Sequence, residues 1–345
     1  MNSLHVGRTF LSPTVDVLLI GGGLSLFFTV AVVATGGSTS PITAAIAPVF
    51  PLVLFLVNMT HFSASTVRLY AKPNAFADFP FLTMGLPLLT LALLSLAVRF
   101  AEVVGVHVMN LYLTWSPYHY AAQAYGLALL YCYRSGVTVG DRDRVLFRVA
   151  CLAPFLYAFV KGPTAGLEWF VSKAWLGAEP WATLRAGAEW LLGGAALALP
   201  PALLARSLFR GRALPLISVL VMVSNAAWWT LFFYYEAFGW ATVFHGLQYL
   251  AIVMIVHVKD RAQAAGGQHG AAYHALTFYA ACVALAYLLF RAWPFAFVAA
   301  GFGLAESMLL VTAVINIHHF VVDAYIWRLR RDPGYREVAA APAAA

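Results

Sequence analysis

The stretch MLLVTAVINIHHFVVD, residues 308–323, contains two adjacent histidines inside a run of apolar residues. It belongs to an apolar segment, 297–328, that is longer than the roughly 20 residues a helix needs to cross a bilayer. A polar side chain at membrane depth is costly, and one that is present usually has a function. The stretch therefore predicts a membrane-spanning helix with a buried site on it.

The whole chain has the composition of a polytopic membrane protein. Of its 345 residues, 62% are hydrophobic and 10% are charged, and the mean hydropathy is +0.80. Soluble domains contain roughly 25% charged residues. We therefore expect an all-α transmembrane bundle that forms a single domain over residues 1–333, followed by a disordered tail, 334–345. The chain contains about ten apolar spans (8–10), near 15–35, 44–69, 79–100, 104–133, 145–161, 186–207, 214–237, 240–258, 272–290 and 297–328.

The distribution of positive charge predicts the orientation of this bundle. All Lys and Arg residues fall on one side of a ten-span arrangement except Arg99, Lys161, Lys173, Arg185 and Arg291. Because basic loops face the cytoplasm, we expect both termini to be cytoplasmic, in a membrane of the bacterial inner (cytoplasmic) type. The same asymmetry accounts for the net charge of +7 without a nucleic-acid partner.

Two stretches need a separate interpretation. The glycines at 21–23 lie in the first apolar span, where small residues allow helices to approach closely. The segment 163–185 is too polar to span. Its tryptophans, Trp169, Trp175 and Trp181, suit an interfacial stretch or a short re-entrant element.

Four helices carry a histidine in the same polar setting. His61 in NMTHFSAS, His119 in SPYHYAAQ, His245 in TVFHGLQY and His319 in NIHHFVVD each have polar residues three before and four after. Residues at these spacings share one face of a helix. In a ten-span arrangement the four helices run in the same direction, and a rise of roughly 1.5 Å per residue puts the histidines between mid-bilayer and the cytoplasmic leaflet. They are predicted to converge on one buried site.

A transition metal is the ligand that this pattern favours. Neutral imidazole is the commonest metal ligand, and its second nitrogen normally donates to a carboxylate, amide or carbonyl. The predicted ligands are His61, His119, His245, His318 and His319. The candidate catalytic groups are Asp323, Gln123 and Tyr249, and Asp323 is either a direct ligand or a support for one. The residues expected to orient the ligands are Asn58, Ser65, Gln248 and Asn316. Such a set suits non-haem iron first, then copper, zinc or manganese.

The His318–His319 pair and the other histidine-bearing helices resemble, by type of site, the histidine-rich integral-membrane non-haem metal enzymes, such as the lipid desaturases and hydroxylases. Those families carry HxxxH and HxxHH boxes, whereas this chain has one HH pair and no HxxHH. The resemblance implies an oxidoreductase of the oxygenase, desaturase or hydroxylase type that acts on a lipophilic substrate. Because no flavin, NAD or iron–sulfur motif is present, its electrons would come from an external donor.

Three other functions fit the same residues. A haem or pigment protein in electron transfer would use His119 with His245, and His61 with His319, as axial pairs. A transporter would line its path with the His, Asn and Asp side chains. A structural subunit of a larger complex would need none of this chemistry. Metal content, an optical spectrum and activity distinguish these functions.

Overall fold

The protein is described by a computed structural model that covers residues 5–162, 165–211, 213–235, 238–264 and 269–326. Within these ranges the chain is all-helical, with 85% helix and no strand. The all-α prediction is therefore confirmed. The tail predicted to be disordered, 334–345, lies outside the described residues.

The long helices follow one another with short connections. In chain order they are α1 (Pro13–Ile20), α2 (Gly23–Ala34), α3 (Gly37–Tyr70), α4 (Phe81–Arg99), α5 (Val106–Arg134), α6 (Asp141–Lys161), α7 (Trp181–Phe209), α8 (Leu216–Tyr234), α9 (Phe238–Ala264), α10 (Ala271–Ala299) and α11 (Leu304–Ile326). The segment expected to be interfacial contains two short helices, Leu167–Phe170 and Lys173–Leu176.

Among the described residues, six helices are long and apolar enough to cross a membrane, namely α3, α4, α7, α9, α10 and α11. The bent pair α1–α2 makes a seventh if it counts as one span. The helices at the predicted fourth and fifth spans, α5 and α6, are not in this group, and α8 contributes only a shorter apolar stretch, Leu216–Phe232. The finding supports a multi-pass architecture with fewer clear spans than the ten expected.

The first apolar span is broken at its glycines. Helices α1 and α2 meet at an angle of 57°, and Gly22 between them has a φ of +75°, a left-handed conformation that glycine adopts without steric cost. The break frees backbone carbonyls, which other helices satisfy: Ser224 donates to the carbonyl of Gly21 at 3.0 Å. The glycines therefore break the helix as well as allowing close packing.

The chain folds into two compact units. Among the described residues, unit 1 contains 5–51 and 116–248, and unit 2 contains 52–115 and 249–326. The boundaries fall inside helices α3, α5 and α9. The expectation of a single domain stays a prediction.

Unit 1 is built around α8. Helices α2, α6 and α7 pack against it, and α6 packs along α7. Its core is aromatic, with Trp228, Trp229 and Phe232 of α8 clustered with Tyr120 of α5 and Phe244 of α9. These large rings surround the part of α9 that carries His245.

Unit 2 is built around α11. Helices α4 and α10 and the last part of α3 pack against it. Its core includes Phe62 of α3, Leu94 of α4, Phe290 of α10 and Leu310 of α11. Burying one such side chain contributes about 1.5–3 kcal/mol, and this packing fixes the histidine-bearing faces of α3 and α11 against each other.

Candidate metal centre

The clearest polar cluster in unit 2 is a pair of fully buried histidines. His61 of α3 and His319 of α11 are both 0% exposed. Their rings meet edge to face, with centroids 4.9 Å apart and an angle of 89° between the planes. One ring nitrogen of each lies within 4.8 Å of the other, so a single small ion can contact both rings.

The backbone of α3 sets the tautomer of His61. Its Nδ1 lies 2.6 Å from the backbone carbonyl oxygen of Asn58. Because a carbonyl oxygen can only accept, Nδ1 must carry the hydrogen, and in the neutral ring Nε2 then has the lone pair. Asn58 was expected to orient a ligand; its backbone carbonyl contacts His61, and its role at a metal site stays a prediction.

Ser65 contacts His319 from the neighbouring helix. Its Oγ lies 3.2 Å from the carbonyl oxygen of Phe62 and 2.9 Å from Nδ1 of His319. When the hydroxyl hydrogen points to Phe62, Oγ accepts from Nδ1–H of His319, and the neutral ring then has its lone pair on Nε2. Both histidines of the pair are thus oriented through Nδ1, as metal-bound imidazoles usually are.

A buried carboxylate completes this cluster. Oδ2 of Asp323 lies 3.4 Å from Nε2 of His319, and Oδ1 accepts a hydrogen bond of 2.6 Å from the hydroxyl of Tyr249. Tyr249 is 1% exposed and Asp323 is 6% exposed. A carboxylate oxygen beside an imidazole lone pair is repulsive unless a proton or a cation lies there. The candidate catalytic residues Asp323 and Tyr249 therefore lie together, next to His319.

Unit 1 contains the second buried histidine pair. His119 of α5 and His245 of α9 have ring centroids 5.3 Å apart, at an angle of 80°. The ring of Tyr120 stacks on His245 at 3.6 Å with the planes 10° apart, and Trp228 meets the same imidazole edge to face at 6.3 Å. The convergence of all four histidines on one site stays a prediction, because the two pairs belong to different units.

A pair of amides lies one turn from the histidines of unit 1. The side-chain nitrogen of Gln123 donates to Oε1 of Gln248 at 2.8 Å, and Gln248 donates to the backbone carbonyl of Ile20 at 2.6 Å. That carbonyl is one of those freed by the break between α1 and α2. Gln248 was expected to support a histidine, which stays a prediction; its side chain bonds to Gln123 and to the broken helix.

Two predicted site residues have other surroundings. Asn316 donates to the carbonyl of Thr312 in its own helix at 2.7 Å. His318 is partly buried and, within the described ranges, makes no hydrogen bond or ring contact. The role of His318 as a ligand stays a prediction.

Two aromatic residues at the pairs were not identified from the sequence. Tyr120 stacks on His245, and the ring of Phe62 lies 3.9 Å from that of His61 and 5.2 Å from that of His319. Each directly follows a predicted ligand in the chain. Because aromatic residues make up 15% of this sequence, an aromatic residue directly after a histidine does not by itself indicate a site.

No family model, curated protein or solved structure matches this chain. The chemistry of the site therefore rests on its own geometry. In unit 2, two imidazoles held through Nδ1 lie beside a carboxylate, a donor set that suits a first-row transition metal.

Proposed function

We propose that this protein is an integral-membrane, metal-dependent oxidoreductase that acts on a lipophilic substrate. The histidine pair His61–His319 holds a transition metal, with His119 and His245 as the further ligands that the sequence predicts. Asp323 and Tyr249 handle protons beside it. The chemistry that a bound metal would supply is activation of oxygen or polarisation of the substrate. The substrate would enter from the bilayer, and an external donor would supply electrons. The substrate is an acyl chain, isoprenoid, quinone or carotenoid.

The observation that supports this proposal most is the hydrogen bonding of the two rings. Asn58 and Ser65 both contact Nδ1, at 2.6 and 2.9 Å, so Nε2 is the atom of each ring that would bind the metal. A carboxylate oxygen lies 3.4 Å from one of these Nε2 atoms. A cation at this place would make every one of these contacts favourable.

The donor set also bears on the identity of the metal. Imidazole with a carboxylate suits non-haem iron, and then copper, zinc or manganese. Haem, the main alternative cofactor, would have to fit between the two rings if both His61 and His319 held it. The edge-to-face contact of His61 and His319, at 4.9 Å, suits a single ion better.

Metal analysis of the full-length protein, purified in detergent without chelator, tests this proposal. We expect about one or two equivalents of iron, copper or manganese per chain, with a non-haem optical spectrum. His319→Ala should lose the metal. His107→Ala is the matched control, since this histidine is exposed and its loss should leave the metal content unchanged.

Electron paramagnetic resonance then tests the oxidoreductase class. A chemical reductant followed by air should interconvert two oxidation states of the bound metal. Bound zinc, which does not cycle, would rule out activation of oxygen by the metal. Protein without any metal, or loss of metal in His107→Ala as well, would refute the site.

A transporter is the second candidate, favoured by the break between α1 and α2. Discontinuous membrane helices form the ion and substrate sites of many transporters. Here, however, the carbonyls of Ile20 and Gly21 already accept from Gln248 and Ser224. Metal flux into liposomes containing the protein, without retained stoichiometric metal, would favour transport.

We also propose about ten spans with cytoplasmic termini, in a bacterial cytoplasmic membrane. Single-cysteine labelling in intact cells tests this topology, because the native cysteines in the described structure are buried. Ser38→Cys should react with a membrane-impermeant maleimide, and Arg142→Cys only after permeabilisation. Both positions are exposed. The opposite pattern would invert the topology.

A further inference from the structure

Unit 1 has a cleft with both charged and apolar lining residues, where the beginning of α6 meets the end of α7. Its volume is about 350 Å³. Its charged lining consists of Arg206 near the end of α7, Arg210 directly after α7, and Asp143 of α6. Phe147 and Leu203 belong to its apolar lining. The residues that line this cleft are separate in the sequence from both histidine pairs. The cleft has no part in the proposed chemistry.

The two arginines leave the cleft with a net positive charge. Arg206 donates to Oδ1 of Asp143 at 2.9 Å, and a guanidinium nitrogen of Arg210 lies 3.9 Å from the same oxygen. A guanidinium group has five N–H donors, so most donors of the two arginines remain available after this contact. One carboxylate also balances only one of the two charges. The arginine side chains are 33% and 59% exposed, which leaves them open to a ligand.

The apolar lining of the cleft is part of the packed core. Phe147 is 1% exposed and Leu203 is 8% exposed, and the neighbouring Val139 and Leu214 are 3% and 7% exposed. Ser207 and Thr138 add hydroxyl groups to the lining. A ligand that fits has an anionic group next to an apolar segment.

We propose that this cleft binds the headgroup of an anionic phospholipid. Arg206 and Arg210 would contact the phosphate, whose oxygens match the guanidinium donors. The first carbons of an acyl chain would lie against Phe147 and Leu203. Basic pockets at the ends of membrane helices bind such headgroups by this combination of charge and apolar contact.

The position of the cleft favours a lipid over free phosphate. It lies where α6 begins and α7 ends, at the membrane face that the proposed topology makes cytoplasmic and rich in Lys and Arg. Free phosphate would contact the arginines alone, and the apolar lining would not contribute to its binding. A zwitterionic lipid would bring its own cation to a cleft that already has excess positive charge.

Native mass spectrometry of the detergent-purified, delipidated full-length protein tests this proposal. The probes are phosphatidylglycerol, phosphatidylcholine of the same chain length, and inorganic phosphate. We expect phosphatidylglycerol to bind most tightly. Arg210→Gln should weaken it about tenfold, as expected for loss of one charge-assisted contact. This variant leaves the hydrogen bond between Arg206 and Asp143 intact.

Arg144→Gln is the matched control. Arg144 lies on α6 and pairs with Asp141 outside the cleft, at 3.3 Å, so its loss removes one charge near the cleft without changing the lining. It should bind phosphatidylglycerol like the wild type. Equal binding of phosphatidylcholine, equal occupancy by inorganic phosphate, or an equal loss in both variants would overturn the proposal.

Discussion

Ser65→Ala should weaken metal binding although Ser65 is not a ligand. The substitution removes the Oγ that lies 2.9 Å from Nδ1 of His319, in a site where both residues are 0% exposed. A buried donor without an acceptor costs about 1–3 kcal/mol, and each 1.4 kcal/mol is about tenfold in affinity. Partners that orient metal-bound histidines typically contribute about 10- to 100-fold. We therefore expect a loss of that size.

The assay is a competition titration of the detergent-purified protein against a chromophoric chelator. Ser63→Ala is the matched control, because Ser63 is buried on the same helix and its hydroxyl faces the carbonyl of Met59 at 3.5 Å. Ser65→Thr keeps a hydroxyl and should retain most of the affinity. Size-exclusion profiles show whether each variant is folded.

Wild-type affinity in folded Ser65→Ala protein would refute the reasoning, because Nδ1 of His319 would then need no acceptor. An equal loss in Ser63→Ala would also refute it, since the effect would reflect general damage to α3. Loss of affinity in Ser65→Ala with recovery in Ser65→Thr would establish that the hydroxyl orients His319.

The remaining predictions concern the other histidine pair, the tyrosine and the helix break. If the four histidines share one centre, His119→Ala and His245→Ala should each abolish metal binding; full metal content in either variant would contradict a shared centre. Tyr249→Phe should destabilise the protein by about 1–3 kcal/mol, because a buried carboxylate loses its donor; an unchanged thermal midpoint at a fixed heating rate would show that this bond contributes nothing. Gly22→Ala should lower the midpoint through a left-handed backbone cost of about 1–2 kcal/mol. Gly126→Ala, in a helix with open space around it, should not lower it, and equal effects of the two substitutions would contradict the role of the break.

The fold class could be predicted because it depends on local composition. Runs of about 20 apolar residues can satisfy their backbone polar groups in a bilayer only as helices. The break between α1 and α2 could not be predicted in the same way. It depends on Ser224 and Gln248, which reach the carbonyls of Gly21 and Ile20 from 203 and 228 residues away in the chain. Three consecutive glycines are compatible with either a close helix contact or a break.

The candidate site could be predicted in its residue types but not in its pairings. Polar residues at i−3 and i+4 marked the faces of His61 and His319 because helical periodicity is local. Ser65 was identified in this way as a neighbour of His61, yet its side chain bonds to His319, 254 residues away. Tertiary packing of α3 against α11 decides that partner. No spacing rule within one helix contains this information.

The orientation of the two imidazoles distinguishes a metal site from a simple buried ion pair. A protonated His319 beside Asp323 would satisfy the contact of 3.4 Å by itself, and it would require nothing of His61. His61 nevertheless lies in ring contact with His319, and its Nδ1 is bonded to a backbone carbonyl, so its lone pair is on Nε2. A metal ion uses both lone pairs and the carboxylate charge together, whereas a proton uses only one lone pair. Because Asn58 fixes its tautomer, His61 can supply a second lone pair to a metal, a contribution that an ion pair between His319 and Asp323 does not use.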